Sequence, residues 1–217
     1  MFDYETKSLW PVISGESIVG VMKGKRLAEV VSSQKITWKE WNNLHPDTKV
    51  LSYDGRQTAG YDNYKDYHSS RAKTGIYTVK QKDNRLKPKT TVIGLEINGK
   101  RKVYPVELFK KKGIMSDVFE DLPLLFCHDK TTNNTIVYNR KIEDKILEFK
   151  EVKISPFERN NVYAHIAVDT PTGSKWDLNT GKAVDGIFKG KSLEKVDFKK
   201  VYWFVWADYY PDSKIYK

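Results

Sequence analysis

All six tryptophans of this 217-residue chain fall into two matching sets of three, and no other feature constrains the fold as much. The stretch Asp3-Tyr4-Glu5-Thr6-Lys7-Ser8-Leu9-Trp10 returns 166 positions later as Asp169-Thr170-Pro171-Thr172-Gly173-Ser174-Lys175-Trp176. The frame holds without a gap through Gly15 and Gly181, Gly20 and Gly186, Lys23-Gly24-Lys25 and Lys189-Gly190-Lys191, and Leu27 and Leu193. After one deleted residue, Trp38 and Trp41 match Trp203 and Trp206, and Pro46-Asp47 matches Pro211-Asp212. Tryptophan is rare and large, so three coincident pairs in one frame predict an internal repeat, one small fold built twice.

The residues within a copy suggest its local structure. Asp-x-x-Thr-x-Ser-x-Trp has the composition of a turn whose short polar side chains bond nearby backbone N–H groups. The glycines that follow punctuate short strands. Thr37-Trp38-Lys39-Glu40 has the spacing of a capping box, which predicts a short helix with Trp38, Trp41 and Leu44 on one face and Pro46 as its stop. The second copy places Trp203, Trp206 and Pro211 likewise but lacks the threonine cap.

The offset predicts three regions. Residues 1–53 form the Trp-rich tail of an incomplete first unit, 54–89 a Tyr-rich connector, and 90–217 a complete second unit. The second unit divides into a β-rich body, 90–161, and a Trp-rich tail, 162–217. In the body, Val92–Ile97 and Lys102–Val106 flank Asn98-Gly99, a hairpin signature. Apolar matching favours a three-residue loop with Leu95 opposite Val103. A short helix over Glu107–Lys112 and strands at Leu124–His128, Thr135–Arg140 and Ile146–Val152 complete an α+β, β-rich repeat protein with short helices. The connector, with Tyr61, Tyr64, Tyr67 and Tyr77, reads either as an ordered link pinned by its rings or as an aromatic platform beside Lys65, Arg71 and Lys73.

Candidate chemistry is sparse. Cys127 is the sole cysteine, which excludes an intrachain disulfide framework and a cysteine-rich zinc cage. It is a candidate thiol, yet on a strand its neighbour His128 points to the opposite face and is poorly placed as its base. Four histidines show no metal-ligand spacing, so neither a metal site nor a cofactor is expected. Asp3, Thr6, Ser8 and Trp10, with Asp169, Thr172, Ser174 and Trp176, are the candidate polar-ligand turns; the same residues also suit self-capped structural turns. No catalytic constellation is visible. The net charge of +10 is built mostly from dispersed lysines and suits either a hydrated surface or an anionic partner. No apolar run approaches the roughly 18 residues of a membrane span. The opening residues lack the basic-then-apolar pattern of a signal peptide.

Several of these strings resemble a bacterial and archaeal family called domain of unknown function 3179. They are Met1–Trp10, Gly15–Gly20, Gly24-Lys25-Arg26-Leu27, Thr37-Trp38, His45–Val50, Val92–Glu96, Val103–Val106 and Trp206-Ala207-x-x-Tyr210-Pro211-Asp212. The resemblance covers nearly the whole chain and implies no particular activity. It aligns Met1 with the middle of longer tandem relatives and implies an extracytoplasmic setting. Relatives carry a Cys-Pro-Leu-Cys-like stretch that implies redox chemistry or metal binding; here its counterpart is Leu124-Leu125-Phe126-Cys127-His128-Asp129, with one thiol. The expectation is a non-catalytic binding or structural module. The alternatives are a thiol-redox or metal-associated subunit, or a Lys/Tyr-mediated binder of nucleic acid or another anionic polymer. Where the rest of the chain leaves Trp10, Trp38 and Trp41 of the incomplete unit uncovered, a partner chain or self-association is expected to cover them.

Overall fold

The computed structural model describes residues 1–28, 37–50, 83–130, 133–151 and 165–217. Expectations for most of the Tyr-rich connector, for the Glu40 and Leu44 side chains and for Val152 lie outside the described residues. The chain opens with strands β1 (Phe2–Asp3) and β2 (Ser8–Leu9) and helix α1 (Trp38–Leu44). Next come β3 (Thr91–Ile97), β4 (Lys100–Pro105), α2 (Glu107–Lys112), β5 (Ile114–Phe119), β6 (Leu122–Asp129) and β7 (Asn134–Asn139). Short strands β8 (Lys141–Ile142), β9 (Lys145–Ile146) and β10 (Phe149–Glu151) follow. The last part holds β11 (Ile166–Asp169), β12 (Lys175–Asp177), β13 (Lys182–Asp185), β14 (Glu194–Lys195), β15 (Lys199–Tyr202), α3 (Trp203–Tyr209) and β16 (Lys214–Ile215). The described residues are therefore β-rich with few, short helices.

Turn chemistry sets the registers. Asn98 and Gly99 both adopt positive φ, 51° and 73°, as a two-residue type I′ hairpin requires. Ile97 consequently pairs with Lys100, Leu95 with Lys102 and Gly94 with Val103. The expected three-residue loop with Leu95 opposite Val103 is thus incorrect. Apolar matching misleads because Lys102 lies half in the core and sends its ammonium 2.6 Å to Asp117. Strand β5 was not expected, because its turn into β6 is made by Glu120 and Asp121 at φ 49° and 63°, without a glycine to announce it. The single strand expected over Ile146–Val152 is interrupted between β9 and β10. There Leu147 turns into the core, and its N–H bonds the Arg140 carbonyl at 2.9 Å.

Three four-stranded sheets stack in layers: β10-β11-β12-β13, then β14-β7-β6-β5, then β15-β3-β4-β16. The middle sheet is buried on both faces, so β6 reads as a continuous apolar run rather than an alternating one. Leu125 and Cys127 of β6 face one core with Tyr138, Trp176, Phe188 and Leu193. Leu124 and Phe126 face a second core with Ile93, Leu95, Tyr104 and Phe109. A third core lies on the outer face of β3 and β4, where Val92 and Val103 meet Trp203, Trp206 and Ile13.

That third core positions the candidate site. Trp203 and Trp206, three apart on α3, lie on the face turned to the sheet. The indole N–H of Trp206 donates to Ser213 Oγ at 2.8 Å, which satisfies its one buried donor. Gly94 leaves room for the ring, since a Cβ there would overlap the six-membered ring of Trp206. Gly94→Ala is therefore expected to lower unfolding free energy by about 1–3 kcal/mol in urea titration, through overpacking of a buried indole. A change below about 0.5 kcal/mol would show that the ring does not rest on this backbone.

Candidate functional site

The two Asp-x-x-Thr-x-Ser turns close through their own side chains. In the later turn Asp169 is fully buried and accepts from Thr172 N–H and Oγ1–H, each at 2.7 Å, and from the Trp176 indole at 2.8 Å. Thr172 Oγ1 lies 2.8 Å from Ser174 Oγ. In the earlier turn the Thr6 hydroxyl donates to Asp3 and lies 2.7 Å from Ser8 Oγ, and Glu5 N–H bonds Asp3 at 2.9 Å. The Thr6 hydrogen bond, first among several, holds the Asp3 carboxyl below its ordinary range. Trp10 and Trp176 are both buried.

Similar hydrogen bonds frame both turns. Ser8 Oγ accepts from Met22 N–H at 3.1 Å, and Ser174 Oγ from Phe188 N–H at 3.5 Å. Gly15 N–H bonds Pro11 O as Gly181 N–H bonds Asp177 O, at 2.9 and 2.7 Å. Gly24 N–H reaches Ser17 O as Gly190 N–H reaches Ala183 O, at 2.8 and 2.9 Å. Gly20 and Gly186 have φ of 95° and 89°, and a Cβ on either would overlap the backbone of Ser8 or Ser174. Similar contacts recur at α1 and α3. Trp41 Nε1–H donates to Thr48 Oγ1 at 2.8 Å, the bond Trp206 makes to Ser213. His45 packs on Trp41 with ring centroids 4.3 Å apart, as Tyr210 packs on Trp206 at 4.9 Å. Burial differs, however: Trp38 is 55% and Trp41 41% exposed, whereas Trp203 and Trp206 are buried.

A cleft of about 480 Å³ opens where the N-terminal stretch meets the third sheet. One wall is Val12, Ser14, Gly15, Arg26, Leu27 and Ala28. Opposite lie Gly94, Glu96, Asn98 and Gly99 of the β3–β4 hairpin, with Asp197–Lys199, Trp206 and Tyr210. Arg101 stacks over the Tyr210 ring at 4.3 Å and pairs with Glu96 at 3.1 Å. Burial and the Glu96 charge push the Tyr210 phenol upward, while Arg101 and Arg26 oppose them. The cleft therefore offers aromatic surface beside charges of both signs. Of the candidate turn residues, none lines it. Residue-type searching passed over Glu96, Arg101 and Tyr210. No local motif marks them, because they meet only through tertiary packing at the cleft.

Cys127 and His128 point to opposite faces of β6, as strand geometry demands. Cys127 is buried against the first sheet's core. His128 is buried with Nδ1 3.0 Å from Thr135 Oγ1. The lysine clusters meet near this end of the middle sheet: Lys130 Nζ lies 3.4 Å from Lys111 O and Lys200 Nζ 3.1 Å from Asn133 O. Among the described residues, no three His, Cys, Asp or Glu side chains gather as a metal-holding group. Among them, too, no helix is long and apolar enough to cross a membrane.

Fold and cleft together define a layered β-rich protein with an aromatic, polar-rimmed cleft beside its third sheet. The family model described as Protein of unknown function (DUF3179) matches residues 1–213, and the chain belongs to that family. No curated protein and no solved structure matches it.

Burial, helped by Lys200 and Lys110, holds the His128 pKa below its ordinary value, against an opposing push from Asp129. Above pH ~6.5 the ring is neutral folded or unfolded. As pH falls below that, the unfolded chain takes up the proton first, so stability is lost by up to about 1.4 kcal/mol per pH unit until the folded-state pKa is reached. Urea titrations from pH 7.5 to 5 are expected to show a shallower loss in His128→Gln; equal slopes would mean that His128 does not titrate on unfolding.

Proposed function

We propose that this protein is a non-catalytic binding module made from one complete and one partial copy of the same unit, with its ligand site at their join. The observation that carries this reading is the cleft, walled by Ser14–Gly15 and Arg26–Ala28 on one side and by Glu96, Lys199 and Tyr210 on the other. The matched hydrogen bonds at Ser8 and Ser174, and at Trp41 and Trp206, support a duplicated unit. The site's mixed character suits a polar ligand with a flat apolar face, since aromatic rings cover the face while charged rims orient the polar groups. In this reading the Asp3 and Asp169 turns are structural closures. The Asp169 carboxylate is spent on Thr172 and Trp176, and Cys127 serves as a small core hydrophobe. The exposed indoles of α1 are the face on which a partner chain would cover the partial copy.

A second reading is favoured by the convergence of Lys110–Lys112, Lys130 and Lys200 near one end of the middle sheet, which suits an anionic polymer. One titration set separates the two. Amide NMR shifts are followed with sugars, amino-acid derivatives, and single- and double-stranded DNA and RNA. The cleft reading expects saturable shifts at Gly15, Glu96, Lys199 and Tyr210, with affinity about tenfold lower in Tyr210→Ala, near the ~1.4 kcal/mol of a lost packing contact. The lysine reading expects shifts around Lys111 and Lys130 whose affinity falls steeply with salt. Catalysed turnover abolished by Cys127→Ser would overturn the non-catalytic reading.

A further inference from the structure

The cleft has a filled counterpart elsewhere in the molecule. Tyr138 of β7 rests against Gly181 so closely that a Cβ on the glycine would lie 2.6 Å from Tyr138 Cε1. The Tyr138 hydroxyl donates to the Leu178 carbonyl at 3.0 Å, and Leu193 helps close the seat within the same core. Alongside, Glu194 of β14 pairs with Asn139 and Lys195 with Tyr138 itself. The positions 166 residues earlier than Leu178, Gly181, Leu193 and Glu194 are Val12, Gly15, Leu27 and Ala28. All four line the cleft.

The walls of the two seats are built alike. Leu27 N–H bonds Gly15 O at 2.9 Å, as Leu193 N–H bonds Gly181 O at 2.8 Å. What differs is what stands against them. Among the described residues, a Cβ on Gly15 would meet no atom within 4 Å, and Leu27 is 44% exposed against 5% for Leu193. The space against these walls is the cleft itself.

We propose that the cleft is a binding seat for a tyrosine side chain presented on an extended segment of another polypeptide. The phenol rests on Gly15 and Leu27, and its hydroxyl donates to the Val12 carbonyl. The segment follows the edge at Ala28, as β7 follows β14. At about 480 Å³ the cleft falls within the roughly 300–1,000 Å³ of small-ligand sites and exceeds what one ring fills. The remaining space faces Glu96, Asp197 and Lys199, which supply acceptors and a donor for the peptide groups flanking the tyrosine. A strand-borne phenol is chosen over other rings because the filled counterpart holds one, with the hydrogen bond that distinguishes tyrosine from phenylalanine. This inference rests on the duplicated-unit reading and adds to it the occupant's chemistry.

The test uses the full chain, labelled for amide NMR. The probes are a synthetic peptide with the sequence of residues 134–140 (Asn-Thr-Ile-Val-Tyr-Asn-Arg) and, as a smaller soluble probe, N-acetyltyrosinamide. Saturable shifts are expected at Gly15, Leu27 and Ala28. Replacing the peptide's tyrosine by phenylalanine is expected to weaken binding about fivefold, the value of one hydrogen bond, and by alanine at least about tenfold. Leu27→Glu in the protein is expected to abolish the shifts without changing the melting temperature, because Leu27 is partly exposed. Silent Gly15 and Leu27 amides at millimolar probe, or an alanine peptide that binds as well as the tyrosine peptide, would overturn the proposal. If other ligands then shift Gly15, Glu96, Lys199 and Tyr210 where the tyrosine probes do not, the binding-module reading stands and only the tyrosine seat falls.

Discussion

A glycine backbone pressed against a serine is the constraint from which much of this structure follows. Gly186 lies so close to Ser174 that any side chain would overlap it, and Ser174 Oγ in turn receives the Phe188 N–H. This closure sets Phe188 and Trp176 side by side, with ring centroids 5.9 Å apart, in the core joining the first and middle sheets. Gly20 and Ser8 make the same approach at the other end of the chain. There it fixes the stretch that carries Trp10, Ile13 and Gly15, and Ile13 docks that stretch onto the third core beside Trp206. The cleft lies beside that docking contact, between the N-terminal stretch and the third sheet.

The layered arrangement also decides what the chemically attractive residues do. A middle sheet buried on both faces takes the β6 side chains from Pro123 to His128 out of water, Cys127 included. The buried imidazole and phenols around it have partners. His128 meets Thr135, Tyr104 donates to Asp117 at 2.7 Å, and the Tyr138 hydroxyl finds the Leu178 carbonyl. Charges of both signs reach solvent together beside aromatic rings at the cleft instead, where Glu96, Arg101 and Tyr210 form one stack.

Much of the local structure was legible in the sequence because short-range chemistry governs it. Asn98-Gly99 marked a hairpin, Thr37 a helix start, and the run Leu124–His128 a strand. The hairpin register was not legible from apolar matching, since a lysine with a long stem behaves as a core residue until its ammonium is reached. Strand β5 was hidden because Glu120 and Asp121 take left-handed conformations usually signalled by glycine or asparagine. The cleft was not legible at all. It is formed by Gly15, Leu27, Glu96 and Tyr210, which are far apart in the chain and carry no motif in common. The residues that did form a motif, Asp3-x-x-Thr6-x-Ser8 and its counterpart, are spent on one another.

The account rests on close backbone approach at Gly20 and Gly186, and comparison with Gly24 tests it most directly. All three have positive φ, but among the described residues a Cβ on Gly24 would meet nothing within 4 Å. Urea unfolding of the three alanine variants separates backbone strain from overlap. The account predicts a loss of about 1–2 kcal/mol for Gly24→Ala, from the left-handed conformation alone. Gly20→Ala and Gly186→Ala are each predicted to lose about 1–3 kcal/mol more. Equal losses in all three variants would contradict it.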